Sequence, residues 1–318
     1  MKPPIPNLIS VIVAAYNAEA YIAQTLSSIL AHKDVQLEII VINDGSIDKT
    51  AQIAMAYGAP VQVYSQDNKG LPSARNAGLA HASGEYIFFF DADDLLIEDT
   101  LSAQLMFLKA HPEVGCVFVD YANFYEFPRG NEPSHFVECI ELMRYFSNLN
   151  NPPDLTLTAD DARELLLKEN FAIAGSGLYR RAVVEEIGGF DPELKACEDF
   201  HFYYQVALRR PIGVMRKLGY WRRLHQNNLS SNSKRMIIYG ILCRRKLLLL
   251  ENSPIHRRLL HDKLAYYHAE LARILAAEFP IAAINNIFKS IYFMRSLDFG
   301  IFKTNAGNIL RLLHLRSI

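Results

Sequence analysis

One pattern constrains this chain more than any other. A short β-branched run followed by a stretch of helical periodicity recurs through its first third. Ile9 to Ala14 reads as a buried strand, and from Ala18 onward Ile22, Leu26, Ile29 and Leu30 fall at helical spacing, with Asn17 suited to cap that helix. The unit then repeats as strand Leu37 to Ile42 with helix Asp48 to Tyr57, and strand Val61 to Ser65 with helix Pro72 to Ala82. A fourth copy pairs strand Tyr86 to Phe90 with a helix carrying Leu101, Leu105 and Leu108. Such alternation predicts an α/β fold with a doubly wound, mostly parallel sheet. Ligands of these sheets sit at the carboxyl ends of the strands, so the residues just past each strand are where function is to be sought.

After a strand at Val114 to Val119 the alternation lapses. Tyr125 to Thr158 is rich in Pro, Asn and aromatics and reads as an insertion over one face of the sheet, with one short helix at Glu138 to Phe146. Helix Asp160 to Glu169, a strand near Ala172 to Tyr179, helix Arg181 to Ile187 and helix Glu198 to Arg209 follow, then strands at Ile212 to Lys217 and Tyr220 to Leu224. The polar stretch His225 to Ser233 reads as a boundary. It divides the chain into 1–232 and an all-helical extension, 233–318, with interruptions at Ser253-Pro254, Pro280 and near Gly300. Charge divides the same way. The whole chain of 318 residues has a formal net charge of −1, which argues against a nucleic-acid partner. Yet 233–318 holds 14 basic and 5 acidic side chains, a net of +9, and the remainder is −10. The four cysteines are scattered without metal or redox spacing and fit a reducing, cytosolic compartment. No apolar run reaches the roughly 20 residues that span a bilayer.

Three strands end in polar groups that a core does not need: Tyr16-Asn17, Asn43-Asp44-Gly45-Ser46, and Asp91-Ala92-Asp93-Asp94. Singly, these read as a cap, a turn and a solvated loop. Three carboxylates within four residues repel one another unless a cation neutralises them, and hard oxygen ligands suit Mg2+ or Mn2+. A cation held by one or two carboxylates commonly completes its shell with substrate phosphates.

In order and spacing, these segments resemble a family 2 glycosyltransferase of the GT-A fold. The resemblance rests on Ser10 to Asn17, on Val41 to Ser46, on Asn68 to Gly78 reading N-K-G-L-P-S-A-R-N-A-G, and on Asp91 to Asp94. Gly188-Gly189-Phe190-Asp191, Glu198-Asp199 and Arg223 with His225 extend it, so that it covers about residues 7 to 232. It implies an inverting transfer from a nucleotide-sugar donor to a glycan or glycolipid acceptor. Ala15, Tyr16, Asn17, Asp44, Arg75, Asp91 and Ala92 would then serve the donor, with Tyr16 and Asp44 on its nucleoside side and Arg75 facing the anionic nucleotide. Asp93, Asp91 and His225 would form the metal set, with Asp93 the direct ligand and Asp91 nearer the ribose or a metal-bound water. Asp199 would be the general base, with Glu198 sharing or orienting the acceptor. Asp94 is left as a cap for the following helix.

Where the chain departs from the family it is informative. Gln205 to Arg209 lacks the Q-x-x-R-W signature of processive synthases, which argues against a polymerising, exporting enzyme. A dinucleotide-binding oxidoreductase is excluded because no G-x-G-x-x-G follows the first strand. A non-catalytic sugar-nucleotide or glycan-binding protein of the same fold stays as the alternative, against which the intact acidic residues count. In the extension, Arg244-Arg245-Lys246 beside Leu247 to Leu250, and Arg257-Arg258 beside Leu259-Leu260, put basic groups against apolar ones. That fits peripheral contact with an anionic membrane, and equally fits packing on acidic protein surface or a homodimer through these helices.

Overall fold

The computed structural model describes residues 3–226, 228–276, 279–294, 304–305 and 307–308. They fall into two compact units, Met1–Gln226 and Asn227–Ile318.

In the first unit the elements run β1 (Ile5–Ala15), α1 (Ile22–Leu30), β2 (Gln36–Asp44), α2 (Thr50–Met55), β3 (Val61–Gln66), α3 (Leu71–His81) and β4 (Gly84–Asp91). Next come β5 (Leu95–Leu96), α4 (Thr100–Ala110), β6 (Cys116–Phe124), α5 (His135–Glu138), α6 (Ile140–Asn148), β7 (Asp154–Leu157) and α7 (Ala159–Lys168). The unit closes with β8 (Gly177–Arg180), α8 (Arg181–Ile187), α9 (Glu198–Ala207) and β9 (Ile212–Arg223). The sheet order is β3-β2-β1-β4-β8-β6-β9-β5, with β7 also paired to β9.

β1 lies inside the sheet and is buried on both faces from Ile9 onward, which is why its sequence is a continuous apolar run rather than an alternating one. Its register is what assembles the site. Ala15 lies beside Asn43 of β2, Ala14 beside Asp91 of β4, and Asp44 beside Gln66 of β3, all in parallel pairs. Three polar strand ends are thereby brought level on one edge. Helix α3 covers this region closely, because a Cβ on Gly78 would stand 2.3 Å from Ile12 Cγ2.

The far half of the sheet is mixed. β8 is antiparallel to both β4 and β6, and β9 runs parallel to β6. The segment Tyr125 to Thr158 is more than a cover, because its Asp154–Leu157 joins the sheet as β7 against β9. The two strands expected from Ile212 to Leu224 are one, bent by register shifts opposite Val119 to Tyr121. The strand expected from Ala172 begins only at Gly177, because Ala174–Ser176 forms a 3-10 turn.

The second unit contains α10 (Ser233–Leu250), α11 (Pro254–Leu275) and α12 (Pro280–Phe293). Asn232 caps α10 by accepting from Arg235 N at 2.9 Å, and Ser253 caps α11, which opens on Pro254. Between α11 and α12, Ser290 Oγ donates to Ala265 O (2.7 Å) and His268 Nδ1 to Asn286 Oδ1 (2.7 Å). Arg244 is buried over the Tyr267 ring at 5.3 Å, so the run Arg244-Arg245-Lys246 is not one basic surface. The interruption expected near Gly300 lies outside the described residues. No helix among the described residues is long and apolar enough to cross a membrane.

Candidate active site

At the end of β1, Ala15 is buried while Tyr16 stands 53% exposed, leaving its ring free as a stacking surface. Asn17 does not cap α1, which begins after Tyr21 without a side-chain cap. Instead it takes a left-handed backbone (φ 49°) and joins two loops: its N–H donates to Ser46 Oγ (3.0 Å) and its Oδ1 accepts from Ile47 N (3.0 Å). Asp44 is buried rather than offered to solvent. Its Oδ1 accepts from Gln66 Nε2 (2.7 Å) and Lys69 N (2.9 Å), and its Oδ2 from Gly70 N (2.8 Å). The carboxylate thus fixes the loop leading into α3 and keeps one oxygen with a single partner.

Arg75, expected to face the donor, is only 1% exposed. Its Nη2 donates to Asp91 Oδ1 at 2.7 Å and its Nη1 to Glu198 Oε1 at 2.8 Å, with the guanidinium 5.1 Å from the centre of the Phe190 ring. The physical reason is the sheet register. It sets Asp91 over the first turns of α3, where one guanidinium pairs with the half-buried Asp91 and with Glu198, which burial would otherwise leave unpaired. Burial, and then the charge of Asp199, push the Glu198 carboxyl up to about 7 against the pull of Arg75. Asp199, one residue on, is only partly buried and accepts from Phe200 N at 2.7 Å. The residue before this pair, Cys197, holds a left-handed φ of 58°, a costly conformation for a side chain with a Cβ. The preceding turn is clamped by Asn76, whose Nδ2 donates to Phe190 O and whose Oδ1 accepts from Phe190 N, both at 2.8 Å.

On the other side of the acidic loop, His225 Nε2 donates to Asp93 Oδ2 at 2.8 Å, and the imidazole stacks on Tyr21 at 5.1 Å between centres. Burial and the charge of Asp91 raise the Asp93 carboxyl, and His225 opposes them. Ala92 is buried, its carbonyl held by Thr25 Oγ1 at 2.9 Å. Asp94 caps no helix. It is buried, accepts from Arg223 N (2.7 Å) and from the Tyr220 hydroxyl, and is pushed well up by burial and by Asp93 and Asp91.

Arg223 is the residue whose role sequence spacing did not disclose. Buried between the Tyr21 and Phe124 rings (4.8 and 4.5 Å), it donates through Nε to Asp93 O (2.7 Å), through Nη1 to Glu126 O (3.0 Å) and through Nη2 to Gln24 Oε1 (2.7 Å). It is the brace that gives the acidic loop its shape.

The expected metal set Asp91, Asp93 and His225 is not assembled as three ligands. Asp91 turns Oδ1 to Arg75, and no group of three His, Cys, Asp or Glu side chains among the described residues is placed to hold a cation. Asp93 with His225 does fit one. It is a raised carboxylate beside an imidazole, a hard and a borderline donor, and they leave most of the shell to phosphate oxygens.

Residues 10–188 match the model of Glycosyl transferase family 2, from β1 to the turn before α9. The chain belongs to that family. EpsJ of Bacillus subtilis, an uncharacterized glycosyltransferase, is 43% identical over 199 residues, 61% of this chain and 54% of EpsJ, so this glycosyltransferase spans about half of that relative. Among solved structures, TarS of S. aureus in complex with UDP-GlcNAc superposes with a TM-score of 0.71 at 22% identity, covering 96% of this chain and 89% of TarS. The mannosyltransferase PcManGT of Pyrobaculum calidifontis, in complex with GDP-Man and Mn2+, gives 0.58 at 18% identity over 96% of this chain and 85% of its own. The GT-A fold expected from the sequence is the fold of this glycosyltransferase.

Proposed function

We propose that this glycosyltransferase moves a single sugar from a UDP-linked donor to a hydroxyl of a surface-glycan or glycolipid precursor, by one inverting displacement assisted by Mg2+ or Mn2+. One observation carries the reading. Through Arg75, the strand-end carboxylate Asp91 and the Glu198-Asp199 pair belong to a single constellation, in which Asp199 keeps partial exposure. The UDP-GlcNAc complex of TarS and the Mn2+ complex of PcManGT support the choice of donor and cation.

In this mechanism Tyr16 stacks on the nucleobase, and Asp44 accepts from the nucleoside through its less occupied Oδ2. Asp199 removes the acceptor proton as the acceptor oxygen bonds to the anomeric carbon. The bond from that carbon to the diphosphate oxygen breaks, and the nucleoside diphosphate departs with the electron pair. Attack opposite the leaving group inverts the configuration. Asp93 and His225 would hold the cation, which when bound neutralises charge on the diphosphate. Glu198, buried and paired to Arg75, orients the site rather than moving the proton.

Calorimetry with UDP, with and without Mn2+, tests the donor site. Binding should tighten with Mn2+ in the native chain and lose that increment in Asp93→Asn. Equal affinity in all four titrations would overturn the assignment. Measurable hydrolysis of a nucleotide-sugar separates the enzyme from the non-catalytic alternative.

A further inference from the structure

The hairpin between α10 and α11 has a composition that the transfer reaction does not use. Its tip carries Leu249 (85% exposed), Leu250 (42%) and Ile255 (65%). Residues four apart share a helix face, so exposed Arg245 lies one turn behind Leu249, and Lys246 one turn behind Leu250. On α11, exposed Arg258 lies one turn behind Ile255 by the same rule at a spacing of three. Both helices therefore present aliphatic side chains at the turn and cations about 5 Å further back.

Acid is withdrawn from this surface. Glu251, the one acidic residue between Arg245 and Arg258, is 1% exposed, accepting from Ser253 N (2.8 Å) and lying 3.7 Å from His256 Nδ1. The tip is also stiff. Arg257 Nη1 donates to Leu248 O of α10 (2.6 Å) and to Glu251 O just past its end (2.8 Å), closing the helix end that would otherwise fray.

We propose that this tip docks on an anionic lipid surface, the three aliphatics entering the acyl boundary and exposed Arg245 and Arg258 meeting the headgroups. Depth order is what selects lipid. Apolar atoms foremost and cations one turn behind match the layering of an interface. A two-fold contact between copies would instead bring the same arginines together. With no spanning helix among the described residues, the docking proposed is peripheral, reversible and salt-sensitive.

Flotation of the full chain with vesicles of phosphatidylglycerol and phosphatidylcholine, against phosphatidylcholine alone, tests it, with no donor or acceptor needed. The native chain floats with the anionic vesicles at low salt and loses most of that at high salt. Leu249→Gln with Ile255→Gln, and separately Arg245→Gln with Arg258→Gln, each lower the partition coefficient about tenfold. Phe288→Gln with Tyr292→Gln, on the exposed face of α12, leaves it unchanged. Helical circular dichroism and its thermal midpoint report folding of every variant. The proposal is overturned if the native chain stays at the bottom, if the tip variant floats as well as it does, or if the α12 variant alone abolishes flotation. It is equally overturned if gel filtration shows that the tip variant dissolves an oligomer while flotation persists.

Discussion

Replacing Arg75 with leucine tests the constellation most directly, because it removes the cation shared by Asp91 and Glu198. Breaking a buried ion pair from one side costs about 3–5 kcal/mol. The two acceptors are unequal here: the Asp91 side chain is 35% exposed and can be rehydrated, whereas that of Glu198 is 8% exposed and cannot. The larger share of the electrostatic loss therefore belongs to Glu198, and that share depends on pH. The Glu198 carboxyl sits at about 7 in the folded protein against 4.5 ordinarily, so the folded state binds its proton more tightly than the unfolded one. Its penalty is full above the folded value and is relieved as pH falls toward 4.5. Loss of Arg75 raises the folded value further and extends the penalty to higher pH. The gap between native and Arg75→Leu proteins should thus change little from pH 5 to 6.5. It should then widen by up to about 1.4 kcal/mol per pH unit through pH 7 to 8.5, about 2 kcal/mol over that range, on top of a pH-independent part from the lost packing and Asp91 pair, toward a total of about 3–5 kcal/mol. Urea unfolding at pH 5.5 and pH 8.5 measures both ends, and Arg75→Leu with Glu198→Gln should recover most of the alkaline loss. A pH-independent gap, or a double variant no more stable than the single one, would refute the assignment of this energy to Glu198.

Three further outcomes are expected. Asp199→Asn should leave UDP affinity intact while slowing single-turnover transfer roughly 10²–10⁴-fold; a native rate would move the base elsewhere. Arg223→Gln should cost about 3 kcal/mol or more in chemical denaturation, from several charged hydrogen bonds lost in a buried site, and should weaken Mn2+-dependent UDP binding. If calorimetry showed that binding unchanged, Arg223 would not be what shapes the Asp93 loop. Gly189→Ala should lose at least about 1–2 kcal/mol from its φ of +88°. Its added Cβ would lie 2.5 Å from Asn76 Oδ1 and disturb the clamp on Phe190, so a native melting temperature would show that the turn can move freely.

What the sequence discloses, it discloses through local pattern. The strand ends were legible because a parallel strand buried on both faces is a solid apolar run, and Tyr16, Asn43-Asp44 and Asp91 stand out against it. Asn17 looked like a cap because caps are the common use of Asn before a helix; its left-handed φ and its bond to Ile47 depend on a loop 30 residues away. Arg75 reads as one basic residue in a polar helix, and nothing local announces a carboxylate 123 positions on. Arg223 is hidden for the same reason, with partners at Gln24, Asp93 and Glu126. The strand β7 escaped because its four residues follow two prolines and pair only with β9, which the chain reaches much later.

The distribution of charge explains why the site carries so many carboxylates and so few cations. Arg75 is committed to Asp91 and Glu198, and Arg223 to carbonyls and the Gln24 amide, while Asp94 takes the Tyr220 hydroxyl and a backbone N–H. Among the described residues, Asp93, Asp94 and Asp199 are the carboxylates of the acidic loop and its constellation not ion-paired to lysine or arginine; Asp94 is buried and spent on the Tyr220 hydroxyl and a backbone N–H, and Asp93 pairs with His225. Asp93 and Asp199 are the carboxylates that the proposed chemistry needs free. Asp93 must have room for a cation that arrives with the diphosphate, and Asp199 must stay basic toward an acceptor hydroxyl. Had Arg75 paired with Asp199 instead of Glu198, the base would be neutralised before the acceptor bound. The choice between adjacent carboxylates is made by the first turn of α9. It buries Glu198 toward Arg75 and leaves Asp199 partly open, and the left-handed Cys197 sets how that turn enters the site.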